Sequence, residues 1–436
     1  MMDGAIASLL LAGIPLLGAV LSVMVWSRPD KLKTWSIVVS LISLGAIIGL
    51  SGHLTTPSEG LLLVYLLPLA ACVSLLGQPI HQSHRSAWIM TLLFLGLGLG
   101  VLTSRNVVGQ VSLMVLLGLI LFLLYRHHTP LWPMSWWGIG AYGLGALSVA
   151  ISAIAGPPLA AVASLLSCAI LLPLVPFHDG YLTALTRLPG NLPSFIVFLL
   201  PAVGLHGLAA VMPTVPDPVA FTMTIFALVG VLYGSIKALA QSRVRLLLAY
   251  GSLSFFSMMW WFVATSRTTT PWAVVFVGAV ALVTSGLLLA WQVIRTRYGD
   301  DVDPRAITGL ASTMPQFAVL LSLLALAALG LPLFGVFAGF MGLLLSSTVP
   351  FSIAVFIIVI AWLAASWYIM DMVQQLLFGA RRSDLRHADL RRDELASLLI
   401  VILVLVALGV LPASLFGPET IRPPTSAMMG SFAWNK

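Results

Sequence analysis

The sequence predicts an all-α polytopic membrane protein of about fourteen transmembrane helices, and three observations point there. Of its 436 residues, 60% are hydrophobic and 8% charged, a balance with too little polar surface for a soluble domain. Apolar runs of about 17–25 residues recur along the chain, the length a helix needs to cross a hydrocarbon layer about 30 Å thick. The period-two alternation over roughly ten-residue stretches expected of a transmembrane barrel is missing.

Taken in order, the segments fall at 4–26, 35–52, 60–76, 87–103, 110–125, 135–155, 158–188, 193–212, 218–240, 246–266, 271–294, 308–347, 352–377 and 396–416. The first opens on Met1-Met2-Asp3-Gly4 without a basic flank, so it reads as an anchor and not a cleaved signal. No Asp or Glu lies between Glu59 and Asp179, so the third to sixth segments carry no acid beyond Glu59. The seventh and twelfth are long and broken by proline, at Pro173 and Pro176 and at Pro332. After the thirteenth, 378–395 is rich in Arg and Asp and reads as a solvated cytoplasmic loop.

Sixteen of the 21 Lys and Arg sit in odd-numbered connections, four on the other side (Arg105 and Arg267 in even-numbered connections, Arg422 and Lys436 after the last segment), and Lys237 lies within a segment. The positive-inside rule then puts both termini on the non-cytoplasmic side, in a cell's inner (cytoplasmic) membrane. The +7 net charge is spread over short loops, so no nucleic-acid partner is expected; the lipid bilayer is one. Cys72 and Cys168 both lie in apolar segments and predict neither a disulfide framework nor a metal site. No phosphate loop, nucleophile elbow or cofactor motif is present, so neither a cofactor nor a catalytic site of its own is expected. Trp26, Trp35, Trp88, Trp132, Trp136, Trp137 and Trp272 fall near segment ends and read as an interfacial belt.

Three stretches go beyond hydrophobicity. They are Pro173-Leu-Val-Pro176-Phe177-His178, then Gln241-Ser-Arg243-Val-Arg245-Leu-Leu-Leu-Ala249-Tyr250, and Met314-Pro315 followed by Gly330-Leu-Pro332-Leu-Phe-Gly335-Val-Phe. In this order and spacing they resemble the antiporter-like membrane subunits shared by respiratory complex I, Mrp antiporters and membrane-bound hydrogenases. That family carries PxxPFHxW in its seventh helix, QxDxKRLLAYSS before its tenth, and MP…GxPxxxGF across its twelfth. The resemblance covers roughly 80–420 and implies two inverted five-helix repeats with the seventh and twelfth helices broken. Discontinuous helices of that kind place ion sites near the bilayer midplane. On this basis 1–80 is an N-terminal three-helix segment, 81–213 and 214–378 are the two repeats, and 379–436 holds a cytoplasmic loop, the last transmembrane helix and a tail.

The family's proton path implies a glutamate in the fifth helix, lysines in the seventh and eighth, and a histidine and a further charge in the second repeat. The matching positions here are Gly118, Leu171, Ala202, Phe255 and Gly339, so the relay reads as degenerate. Arg243 stands where the family has aspartate; Arg245 keeps the charge of its lysine. Four ionisable candidates remain for an ion path. Lys237 reads either as a snorkelling anchor or as a functional cation. His178 reads as a cap on backbone freed by the break or as a group titrating near neutrality. His206 reads as a packed histidine, and Asp371 as an acid buried against a partner subunit. Arg187 belongs to a short amphipathic continuation of the seventh segment.

The expected function is therefore an antiporter-like subunit of a multi-subunit ion-translocating or energy-converting complex. Its expected partners are other integral membrane subunits, with a soluble catalytic subunit as a further candidate. Two alternatives stay open: the membrane partner of a proton-coupled dissolved-inorganic-carbon uptake complex, and a stand-alone carrier of a neutral solute.

Overall fold

The computed structural model describes residues 4–54, 58–104, 106–127, 136–299, 307–346, 353–379 and 388–411. Asp3, Arg105, Trp132, Arg305, Arg381, Arg382, Arg386, Arg422 and Lys436, all used in reading the sequence, lie outside the described residues. Among the described residues there is no strand. The helices are α1 (Gly4–Leu21), α2 (Pro29–Leu50), α3 (Ser58–Leu76), α4 (Arg85–Thr103), α5 (Val107–Arg126), α6 (Trp136–Ile154), α7 (Pro157–Leu171), α8 (Asp179–Arg187) and α9 (Leu192–Val211). They continue with α10 (Asp217–Leu239), α11 (Val244–Ser266), α12 (Pro271–Tyr298), α13 (Leu310–Thr313), α14 (Pro315–Ala328), α15 (Gly335–Ser346), α16 (Ile353–Leu377) and α17 (Arg392–Val410).

Among the described residues, eleven helices are long and apolar enough to cross a membrane; α3, α7, α14 and α15 are shorter apolar helices. The expected fourteen crossings are reached only if α3 and the broken pairs α7–α8 and α14–α15 also cross. Proline sets several starts: Pro29, Pro157, Pro271 and Pro315 stand in the first turn, where a missing N–H costs nothing. Two helices begin earlier than hydrophobicity alone suggests. In α2, Pro29 and Asp30 form a polar first turn. In α17, the Glu394 carboxylate accepts from the Arg391 backbone N–H at 2.9 Å, capping a turn that precedes the apolar run.

The helices close two rings. In the first, α4, α5, α6, α7 and α9 each pack on the next, and α9 returns to α4. In the second, α10, α11, α12, the α14–α15 pair and α16 do the same, and α16 returns to α10. Counterparts lie five passes apart along the chain, so they run in opposite senses. The short α8 packs against α6, α9 and α11 where the rings meet. Helix α12 is the axis of the molecule, touching α3, α9, α11, α14, α15 and α17, and its spanning stretch is buried throughout.

Three details depart from the sequence reading. The loop expected to be solvated is tied down where it enters α17, although Ala388, Arg391, Arg392 and Asp393 are exposed: Arg297 Nη2 donates to Glu394 Oε2 at 2.7 Å, and both side chains are largely buried. Asp389 accepts from the backbone N–H of Gln316 and Phe317 at 2.9 and 3.2 Å, capping the start of α14. Trp88 belongs to no interfacial belt; it is fully buried, because Gln78 Oε1 accepts its indole N–H at 3.0 Å. Lys33, counted as a loop cation, is also buried, donating to the Leu76 carbonyl and to Asp393, each at 3.2 Å.

Candidate functional site

The candidate site is the pair of helix breaks. Helix α7 stops at Leu171 because Leu172 is extended and Pro173 has no donor to continue the ladder. A terminated helix leaves carbonyls without partners. Here the Leu172 N–H donates to the Cys168 carbonyl at 2.8 Å and the Leu174 N–H to the Ala169 carbonyl at 3.1 Å. Further along, the Leu172 carbonyl accepts the indole N–H of Trp260 at 2.9 Å, and Trp260 is a wholly buried residue of α11. From α9, Gly204 approaches so closely that a Cβ there would lie 2.6 Å from the Leu172 nitrogen. The Val175–Pro176 bond is cis.

The second break is built the same way. Helix α14 ends at Ala328, and Gly330 turns the chain at φ +75°. Leu329 and Gly330 donate back to the Ala325 and Ala327 carbonyls at 2.8 and 3.1 Å. The Leu329 carbonyl then accepts the indole N–H of Trp362, from α16, at 3.0 Å. A side chain at Gly330 would run into that indole. Phe340 lies 4.4 Å from the Trp362 ring, and Phe255 stands edge-on to it at 5.3 Å and to Phe276 at 6.3 Å. Aromatic side chains fill the interior of the second ring.

The relay-matched positions divide accordingly. Phe255 and Gly339 converge on Phe276; a Cβ at Gly339 would stand 2.6 Å from that residue's backbone N and Cα. Leu171 and Ala202 are each 1% exposed, Leu171 at the end of α7 and Ala202 in α9. Gly118 stands apart on α5, with open space where a Cβ would go. Of the break prolines, Pro173 is buried, while Pro176 and Pro332 are exposed. A helix C-terminus carries a negative partial charge that favours a cation. At both breaks the group that meets it is a neutral indole donor.

Two of the four ionisable candidates, His178 and Lys237, meet at the Tyr233 ring, and the other two, His206 and Asp371, stand elsewhere. His178 precedes α8 and makes no side-chain capping hydrogen bond to that helix. It is buried edge-on against Tyr233, 5.1 Å between centroids, with Nε2 3.6 Å from Asp179. Lys237 is exposed in the last turn of α10, its ammonium 5.7 Å from the centre of the Tyr233 ring. Asp371 is exposed on α16 and accepts from Gln375 at 2.7 Å. His206 lines a cavity inside the first ring together with Leu171. Arg187 is buried at the end of α8, a helix enclosed on nearly every side. The residues missed at the sequence level are Trp260 and Trp362, whose partners lie far away along the chain.

The family described as NADH:quinone oxidoreductase/Mrp antiporter, TM matches residues 159–367. NADH-quinone oxidoreductase subunit M of Pseudomonas aeruginosa is 29% identical over 256 residues, 56% of this chain and 49% of that protein. The chain spans about half the length of the curated relatives it matches. A chain of respiratory complex I from Thermus thermophilus superposes with a TM-score of 0.78 at 19% identity, covering 94% of this chain and 96% of that one. A chain of the Mrp complex from Dietzia sp. superposes with a TM-score of 0.73 at 17% identity, covering 95% and 98%. At such identities these superpositions establish the fold.

Proposed function

Because this chain belongs to the antiporter-like membrane-subunit family of the complex I and Mrp type, we propose that it works as an integral subunit of a multi-subunit ion-translocating or energy-converting complex, with its own proton relay closed. The observation that carries the closure is the pair of indole caps, Trp260 on the Leu172 carbonyl and Trp362 on the Leu329 carbonyl. Both occupy places where a charged group would otherwise be drawn to a helix end. Leu171, Ala202, Phe255 and Gly339 themselves offer no group that can hold a proton, and the aromatic cluster around Phe255 and Trp362 stays dry. The two rings are the inverted repeats, 81–213 and 214–378, and both termini face away from the cytoplasm across an inner membrane. Its neighbours are other integral membrane subunits, with a soluble catalytic subunit beyond them.

Two measurements test this. Purification of the native protein in mild detergent, followed by mass spectrometry, should recover redox, hydrogenase or further antiporter-like subunits. In proteoliposomes the isolated protein should pass no protons above the protein-free rate; a flux abolished by Lys237→Ala would overturn the closed relay. A second reading is favoured by the cavity beside Leu171, whose described lining holds no Asp, Glu, Lys or Arg: the membrane partner of a dissolved-inorganic-carbon uptake complex, or a lone carrier of a neutral solute. A single soluble zinc protein among the companions would select the first of these, and no companion the second.

A further inference from the structure

At the end of the second ring where α10 turns into α11, a cleft of about 80 Å³ opens against α16. That turn joins two spanning helices, so the cleft lies at the membrane boundary. Gln241 and Ser242 of the turn and Trp367, Tyr368, Asp371 and Gln375 of α16 line it. Tyr368 forms the inner wall: it is 4% exposed, and its hydroxyl rests on Gly251 of α11. Among the described residues that hydroxyl has no hydrogen-bond partner. Asp371 stands six residues before the end of α16, about 9 Å along its axis. It is exposed, Gln375 donates to its Oδ2 at 2.7 Å, and among the described residues no cation pairs with it.

We propose that this cleft binds the primary ammonium head group of a membrane aminophospholipid. The lining sets the charge of the ligand. A carboxylate on the open face of a spanning helix is costly to hold without a counter-charge. Ala238 and Leu239 also line the cleft and end the 23-residue α10, whose C-terminus carries a negative partial charge. Both features favour a cation. The acceptors set its kind. An ammonium brings three N–H donors, and the second Asp371 oxygen, the Tyr368 hydroxyl oxygen and the Gln241 amide oxygen can each accept one. A calcium ion takes about six to eight oxygens, commonly several of them carboxylates, and a single carboxylate lines this cleft. A quaternary ammonium has no N–H and would leave the same acceptors unpaired. The surroundings set the rest of the molecule. Leu363 and Met370 beside the cleft are exposed, and Trp367 is 72% exposed at the level where indoles meet head groups. A ligand with acyl chains under its head group covers that surface, and a soluble amine does not. The inference goes beyond the proposed function and holds whether or not the chain works within a complex.

The test uses the full chain in detergent, washed free of native lipid and titrated with dioleoyl phosphatidylethanolamine or dioleoyl phosphatidylcholine. The two differ only in the methyl groups on nitrogen, and native mass spectrometry counts the lipids bound. Phosphatidylethanolamine should bind about threefold more tightly or better, the scale of one partly exposed ion pair. Asp371→Asn should bring it down to the level of phosphatidylcholine, and Tyr368→Phe should weaken it about twofold, the scale of one neutral hydrogen bond. Asp30→Asn, which alters an exposed acid at the start of α2, should leave the preference unchanged. Equal binding of the two lipids by the wild-type chain would overturn the ammonium specificity, and a preference that survives Asp371→Asn would overturn the site. Carbodiimide treatment of native membranes supplies the remaining arm. A cross-link from Asp371 to a lysine of a companion subunit would assign the cleft to a protein partner and overturn the lipid as its occupant.

Discussion

A Cβ at Gly339 would come within 2.6 Å of the Phe276 backbone, which belongs to the most enclosed helix of the molecule and has nowhere to retreat. Gly339→Ala should therefore destabilise the protein by about 1–3 kcal/mol, the usual range for overpacking. A loss of that size is measurable as a lowered midpoint of thermal unfolding in detergent. Gly118→Ala is the matched control. Nothing lies within 4 Å of its would-be Cβ, so stability should hold or rise by up to ~1 kcal/mol from helix propensity. An unfolding midpoint for Gly339→Ala equal to that of Gly118→Ala would refute the close contact of α12 with α15. The two glycines both stand at relay-matched positions, yet only one could accept a larger residue without rearrangement. The sequence could show that both lack charge; it could not show which of them is held to glycine by a neighbouring backbone.

At the level of elements, each broken helix depends on one indole from elsewhere in the chain. Trp260→Phe keeps the packing of the ring but removes the donor to the Leu172 carbonyl; Trp362→Phe does the same for Leu329. Leaving a buried carbonyl unpaired costs about 1–3 kcal/mol, so each variant should unfold at lower temperature than Trp137→Phe, an exposed control. A second element-scale prediction concerns Arg297 and Glu394, whose side chains are 10% and 4% exposed. Glu394→Leu leaves the guanidinium with carbonyl acceptors but no counter-charge and should cost about 3–5 kcal/mol, while Arg297→Met with Glu394→Leu should recover much of the loss. Denaturation of the three proteins decides it, and equal stability of the single and double variants would refute a coupled pair. The elements themselves were mostly legible, because Pro173, Pro176 and Pro332 mark the breaks and the apolar runs mark the helices. Their caps were not. Trp260 lies 88 residues from its partner and Trp362 33, and no local pattern announces a hydrogen bond across such separations. The buried role of Glu394 was hidden for a related reason. It sits in a charged run that reads as solvated until Arg297, 97 residues away, packs against it.

At the scale of the whole molecule, the two rings share a plan and differ in content. The first holds a cavity, mostly apolar in its lining, that reaches Leu171, and in the second Phe255, Phe276, Phe340 and Trp362 pack together. A transmembrane proton route needs continuous hydration or titratable groups across both breaks, and here each break is sealed by its own set of apolar contacts. Opening one seal should not open the route. Phe255→Ala would remove a ring from the second bundle at a cost of about 3–5 kcal/mol. The space left would be lined by Phe276 and Trp362, and a cavity so lined stays dry. Phe255→His places a titratable ring at the same point but leaves Leu171, Ala202 and Gly339 unchanged, so a proton arriving there has no onward acceptor. Wild type and both variants, reconstituted into liposomes with an imposed pH gradient, should therefore collapse it no faster than protein-free vesicles. Collapse by Phe255→His alone would mean that water already fills the rest of the path, and that the aromatic cluster is the only closure the protein has.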